Sequence, residues 1–466
     1  MNAPIKKIHF IGICGTAMGS VAAMLKDQGF TVSGSDERVY PPMSTFLQDK
    51  GIQIMEGYRP ENLAVTKPDL VVIGNAISRG NPELESVLNE RYYYLSLPET
   101  LKQFFLRFSR NLVVSGTHGK TTTTSLLAWI FQDAAFNPSY MIGGIPLNLG
   151  QGCAHNTRGK HWILEGDEYD TAFFDKRSKF LHYLPELLII NNIEFDHADI
   201  YRNLDEIKLT FKRLVDIVPQ NGMIVLNADN SAAIGVTRHS KSQLLEVGFS
   251  ENAAIRITDV SADEKGTHFN LSGHRFCVPM YGNHNVHNTA MCITAAHCYG
   301  ISYEQIAKSL SGFKGVKRRQ EVRAEINGIT IVDDFGHHPT ALSETIYALR
   351  QRYPKRKLWA LFEPRSNTTR RAVFQHELPA ALAKADAVYM TQIARAEQLA
   401  ENDRLNVEQV IADIKKKNVP AWYEANSDDI IAKLPSQLAP GDVVAVFSNG
   451  SFNGLIDKLI TKLSRK

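Results

Sequence analysis

The stretch GTHGKTTTT, Gly116 to Thr124, follows the apolar run NLVVS and leads into TTSLLAWIF. A glycine turn between a buried strand and a helix aims several backbone N–H groups at one anion, and the helix N-terminus adds a favourable dipole. Lys120 supplies a cation that reaches the outer phosphates of a nucleotide, and the Thr121 hydroxyl stands where a phosphate-loop threonine meets magnesium. Gly116, Thr117, His118, Gly119 and Thr122 complete this candidate cradle. The competing reading is a glycine turn with an incidental lysine; strand, Gly-x-x-Gly-Lys-Thr and helix together weigh against it.

A phosphate-bound metal takes further oxygen ligands. EGDEYD, Glu165 to Asp170, follows the apolar run HWIL and so places carboxylates at the end of a neighbouring strand. A solvated acidic turn is the alternative there. LLIINNIEFDHADIY brings Asn191, Asn192, Glu194, Asp196 and His197 from another buried strand into one loop, where binding loops of parallel sheets lie. In YGNHNVHNTAMCITAA, Asn285 and Asn288 share a helix face, while His284, His287 and Asn288 are equally suited to capping that helix. DDFGHHPT, Asp333 to Thr340, again sets carboxylates and histidines after a strand, without the ligand set of a zinc site.

A second glycine loop opens the chain in FIGICGTAMGSVAAML. Gly12, Gly15 and Gly19 read G-x-x-G-x-x-x-G, which differs from the G-x-G-x-x-G of nicotinamide sites. It still presents a helix start, Gly15, Thr16, Ala17 and Met18, to a diphosphate, with Asp36 at the end of the second strand. Near the other terminus, EPRSNTTRR holds Arg365, Arg370 and Arg371 in one loop, suited to bidentate carboxylate contacts or simply to a solvated basic surface. The glycine-containing FSNGSFNG, from Phe447, is placed to close over the same ligand.

These residues need sheets to hold them. Short β-branched runs alternate with helical patterns from the first strand, the cadence of doubly wound parallel sheets, and the cadence restarts near Ser109 and Lys317. The expected fold is α/β in three domains. Residues 1–108 form an N-terminal Rossmann-like domain and 109–316 a central P-loop-like ATPase; 317–466 form a C-terminal Rossmann-like domain. Between Ser231 and Pro279 short alternating runs predict an antiparallel addition to the middle sheet. At 466 residues several cores are expected. Lys and Arg total 52 against 49 for Asp and Glu, which argues against a dedicated nucleic-acid binder. Five scattered cysteines predict neither zinc nor disulfides but reduced thiols. MNAPIKKIHF lacks an apolar leader core and no run approaches the roughly 18 apolar residues of a membrane span, so a cytoplasmic protein is expected.

Taken in order, GTHGKT, EGDEYD, NNIEFDHADIY, GNHNVHN, RRQE and DDFGHHPT resemble the Mur ligase family, ATP-dependent enzymes that attach amino acids or peptides to the muramoyl precursor of peptidoglycan. VYPPMST, GNAISRGNPE, DTAFFDKRSKF and EPRSNT are similar to the branch that uses UDP-N-acetylmuramate. They imply the recycled tripeptide L-alanyl-γ-D-glutamyl-meso-diaminopimelate as acceptor, with L-alanine the runner-up. The resemblance implies that Lys120 holds the β and γ phosphates, that Thr121 and Glu165 bind one magnesium and His197 a second, and that Asn285 and Asn288 face the adenine. It implies Arg319 at the transferred phosphoryl group and Asp334 at the ribose, with His337 and His338 nearby and His338 a candidate base for the amine. The first glycine loop would hold the uridine diphosphate and Asp36 the uridine side. The modified lysine that bridges the second metal in several family members has no clear match here, Lys208 being the nearest. A nicotinamide dehydrogenase accounts for the first loop but leaves Lys120 idle, a P-loop kinase or ATPase motor leaves the later clusters idle, and Lys120, Glu165 and His197 argue against a non-catalytic nucleotide module. The oligomeric state is not legible.

Overall fold

The computed structural model describes residues 4–465, so Met1, Asn2 and Ala3 of the N-terminal stretch, and Lys466, lie outside the described residues. Three sheets succeed one another along the chain. In the first, five parallel strands lie in the order Gln53–Glu56, Thr31–Asp36, Lys7–Ile11, Leu70–Ile73 and Tyr94–Ser96. The chain starts in the middle and winds both ways, so the end of Lys7–Ile11 is a switch point, where a crevice opens outside the sheet. Gly12 continues from that strand at φ +88°, a conformation that favours glycine, and turns the chain into the helix Thr16–Asp27.

The second sheet has ten strands. Its parallel centre runs Gln243–Gly248, Met223–Asn227, Leu187–Ile190, Arg110–Ser115, His161–Glu165 and Ser139–Met141. The short strand Cys153–Ala154 adds an antiparallel edge at one side. At the other, Ile255–Asp263 begins in parallel beside Val247 and then shifts register between Thr258 and Ser261 to pair antiparallel with Gly266–Leu271, which pairs with His274–Val278. The antiparallel addition is therefore smaller than the sequence pattern predicts. Ser231–Thr237 is a helix, because the Asn230 side chain closes its first turn by accepting from the Ala233 N–H at 2.8 Å, and Gln243–Gly248 pairs in parallel.

The third sheet runs Glu321–Ile326, Ile329–Asp334, Val443–Phe447, Leu358–Phe362, Ala387–Thr391 and Ala421–Glu424, with only its first strand antiparallel. Two helices on the middle sheet frame the glycine turn. Lys120–Asp133 and Asn283–Cys298 are buried almost all round because each is covered by the sheet and by the other. Thr121 to Thr124 are buried with them, and the Thr124 hydroxyl turns back to donate to the Lys120 carbonyl at 2.8 Å. Small and hydroxyl side chains thus let the second helix approach the glycine turn closely.

Candidate functional site

Strand Arg110–Ser115, paired on both sides, delivers the glycine turn to the carboxyl ends of the middle sheet's strands. Gly116 and Gly119 stand at φ +135° and +81°. A Cβ at Gly119 would lie 2.8 Å from both Asn191 Nδ2 and Asn288 Oδ1, so the turn has room for backbone only. Gly119 is also the helix cap, and no side chain closes over the first N–H groups of Lys120–Asp133. The loop is pinned from behind: Thr117 N–H donates to Asn192 O at 2.9 Å and His118 N–H to Asn192 Oδ1 at 2.8 Å.

Lys120 Nζ donates to Gly116 O at 2.7 Å, to Thr117 O at 3.2 Å and to Glu168 Oε1 at 2.9 Å. Burial works to lower its pKa, but the charges of Glu168 and Asp167 outweigh it and hold the ammonium above its usual value. Thr121 Oγ1 donates to Glu165 Oε1 at 2.9 Å, Gly143 N–H donates to Glu165 Oε2 at 2.7 Å, and Arg319 reaches Thr121 Oγ1 at 3.2 Å. Burial raises the Glu165 carboxyl above the usual range despite these partners, a site that a cation would stabilise in its charged form. A threonine hydroxyl and a carboxylate in contact at a helix start are hard oxygen donors, and they fit magnesium. His197, at φ +56°, meets the same cluster through Glu168, with Nε2 at 3.0 Å from Oε1. Lys208 does not come to this site: it pairs with Asp205 at 3.2 Å on the outer face of the helix Leu204–Asp216.

Beside the loop opens a cavity of about 410 Å³ bordered by His118, Thr122, Asn285, Asn288, Arg319 and Asp334. The capping alternative for His284, His287 and Asn288 fails, because Gly282 is the cap of Asn283–Cys298 and no side chain closes it. Asn285 instead donates to Tyr281 O at 2.8 Å from within the first turn. Asp334 is 4% exposed and accepts from the Gln320 and Gly336 N–H groups at 2.8 and 2.7 Å, with burial raising its carboxyl pKa.

In the first domain, Gly15 caps Thr16–Asp27 without any side chain over its first turn, so Thr16, Ala17 and Met18 begin an open helix end. Asp36 is spent on the loop itself: Oδ2 accepts from Cys14 N–H at 2.9 Å and Oδ1 from Arg38 N–H at 3.3 Å. The carboxylate expected on the uridine side thus also fixes the shape of the cradle.

The three arginines of EPRSNTTRR separate. Arg365 lines a pocket with Asp196, His197, His337 and Asn449, and lies so close across Gly450 that a Cβ there would clash with its Nε. Arg370 is 5% exposed and donates to Ala394 O, Arg395 O, Gln398 Oε1 and Asn367 Oδ1, which makes it a tie between loops. Arg371 faces Asp403 at 3.8 Å. Two residues that local sequence motifs do not single out take part instead. Arg395 lines the Arg365 pocket at φ +52°, and Glu168 holds Lys120. His338 is placed differently from a base. Its Nδ1 accepts from Thr340 N–H at 3.2 Å as a helix cap, which leaves Nε2 to donate to Phe195 O at 3.2 Å, and burial pushes its pKa down to about 3. Neither nitrogen is left with a lone pair for an amine, whereas His337 borders the Arg365 pocket.

Family models match the chain in three consecutive segments, described as Mur ligase family, catalytic domain (residues 7–109), Mur ligase middle domain (114–296) and Mur ligase, glutamate ligase domain (318–450). A Haemophilus influenzae protein named UDP-N-acetylmuramate–L-alanyl-γ-D-glutamyl-meso-2,6-diaminoheptandioate ligase is 42% identical, over 99% of this chain and 100% of its own. An Escherichia coli protein of the same name is 39% identical, over 99% of each chain. Among solved structures, a murein peptide ligase from Psychrobacter arcticus is 34% identical with a TM-score of 0.69 over 99% of each chain.

Proposed function

The chain belongs to the Mur ligase family, and from that premise we infer that it is an ATP-dependent ligase that joins UDP-N-acetylmuramate to the tripeptide L-alanyl-γ-D-glutamyl-meso-diaminopimelate. The observation that carries this reading is full-length similarity to two relatives that bear the name of that reaction. The reaction serves murein recycling. We assign residues 1–108 to the nucleotide-sugar, 109–316 to ATP and 317–466 to the peptide. Because ATP and UDP-sugars are cytoplasmic compounds, we assign the cytoplasm as the compartment.

A carboxylate resists attack by an amine, because its leaving group is too poor. Transfer of the ATP γ-phosphoryl to the lactyl carboxylate gives an acyl phosphate, and the free amine of the tripeptide then displaces phosphate. The residues around Lys120 bring two anions together, so their work is positioning and charge neutralisation. Gly119 and the open helix start receive phosphate oxygens, Lys120 turns to the β and γ phosphates, and Arg319 faces the phosphoryl group in transfer. Asn285 and Asn288 border the adenine and Asp334 the ribose. Thr121 and Glu165 would hold one magnesium ion and His197 a second, which supply Lewis-acid stabilisation of the phosphoryl charge. The N-terminal cradle at Gly15 to Met18 receives the uridine diphosphate, and Arg365 with Arg395 faces the carboxylates of the peptide.

The test is ADP release with UDP-N-acetylmuramate and either the tripeptide or L-alanine. Release with the tripeptide is expected. Release with L-alanine alone would transfer the assignment to the muramate–alanine ligation.

A further inference from the structure

The fully enclosed carboxylate beside Lys120 has no role in the ligation steps, and its surroundings give it one. Glu168 is 2% exposed in its side chain, with Lys120 Nζ at 2.8 Å and His197 Nε2 at 3.0 Å. Lys120 approaches Oε2 off the hydrogen-bonding direction, so that oxygen, though buried, has no hydrogen bond of its own. The ammonium has three protons, and all three are spent inside the protein, on Gly116 O, Thr117 O and Glu168 Oε1. To meet a phosphate it must release at least one partner. The two carbonyls belong to the loop that wraps the phosphate, so the partner to be given up is Glu168.

That release leaves a buried carboxylate without its cation, which a protein interior strongly disfavours. The nearby lysines and arginine do not fill the gap. Lys179 is held by Asp167 at 2.7 Å, Arg319 is engaged with Thr121, and Lys208 faces outward. What remains beside Glu168 is His197 Nε2, 3.0 Å from Oε1. That separation is the one between neighbouring donors around a six-coordinate ion with bonds of about 2.1 Å.

Resting on the ATP and magnesium reading, we propose that Glu168 is a shared carboxylate, held by Lys120 when the site is free of nucleotide and by the second divalent cation once Lys120 has turned to the triphosphate. Lysine and metal exclude one another at Glu168. Nucleotide and second metal therefore bind as a linked pair, each raising the affinity of the other.

Manganese binding, followed by electron paramagnetic resonance with and without the non-hydrolysable analogue AMP-PCP, tests this on the full chain. The wild type should take up its second Mn²⁺ only with the analogue present. Glu168→Gln should keep the ion at Thr121 and Glu165 and weaken the second at least tenfold, with Glu168→Asp in between. In EDTA, the Gln variant should bind AMP-PCP at least as tightly as the wild type, because its Lys120 leaves no charged partner behind; a merely structural role would predict weaker binding. Two ions bound by Glu168→Gln with wild-type affinity would overturn the role of Glu168 and leave the ATP reading intact. No analogue-dependent Mn²⁺ uptake by the wild type would remove the ATP and metal reading, and this proposal with it. Should the Gln variant fail to fold, a wild type that binds two ions without nucleotide would overturn the proposal by itself.

Discussion

Gly15 and Gly119 each stand at the start of a helix that succeeds a buried parallel strand, with no side chain closing the first turn. Behind the first lies a carboxylate, Asp36, locked onto the loop backbone; in the second lies Lys120, locked onto its own loop and onto Glu168. A loop that only has to hold a diphosphate needs N–H groups in a fixed shape, and a backing carboxylate keeps that shape. A loop from which a phosphoryl group departs needs a cation that can change partners. On the proposed roles, the same backbone device serves as a rigid cradle in one domain and a switchable one in the other.

The sharpest way to break this comparison is Lys120→Ala. It should lower kcat for ADP release by roughly a thousandfold or more and leave the KM for UDP-N-acetylmuramate within about twofold; a change confined to that KM would reverse the assignment of the two loops. Arg319→Ala should cost about a hundredfold in kcat, since it removes one charge contact at the transferred group. On the other loop, Asp36→Ala should raise the KM for UDP-N-acetylmuramate about tenfold through the lost charged hydrogen bond to Cys14 N–H, with the KM for ATP unchanged in steady-state assays. Arg365→Ala should raise the tripeptide KM by about the same factor, whereas Arg371→Ala, whose partner is the exposed Asp403, should move it less than twofold.

The smallest effect is on stability. Burial opposes the charge on Glu194, but its hydrogen bond to His118 and the His118 charge outweigh burial and hold the carboxyl down at about 2. Because this native value lies below that of the unfolded chain, the contribution is complete above the usual carboxylate range and is lost as pH falls toward 2. Thermal melting should drop by a few degrees between pH 5 and pH 3, and Glu194→Gln should shrink that drop.

Both loops were legible in the sequence because strand, glycine turn and helix start are neighbours along the chain. Asn285 and Asn288 were legible for the same reason, since helix spacing puts them on one face. Glu168 was not: EGDEYD offers four carboxylates, and only the path of strand His161–Glu165 and the turn after it selects the one that meets Lys120, 48 residues earlier. Arg365, Arg370 and Arg371 carry one local signal, and burial of Arg370 among the carbonyls of a distant loop sorts them. Arg395 stands on that distant loop, in a segment without a motif. His338 carried the signal of a reactive histidine, and its neighbour Thr340 turned it into a helix cap. Long-range packing decided each of these, and local spacing does not encode it.

The loop that carries His197 is stitched to the third domain from Glu194 to Asp199. Glu194 accepts from Thr340 at 2.7 Å, Phe195 O accepts from His338, Ala198 N–H donates to Thr368 Oγ1 at 3.2 Å, and Asp199 accepts from Asn367 at 2.7 Å. A graft that exchanges the third domain for one with another acceptor preference therefore exchanges one wall of the proposed phosphoryl-transfer centre as well. Only donors that bring their own equivalents of Thr340, Asn367 and Thr368 would make an active hybrid, which sets a compatibility code for domain shuffling in this architecture.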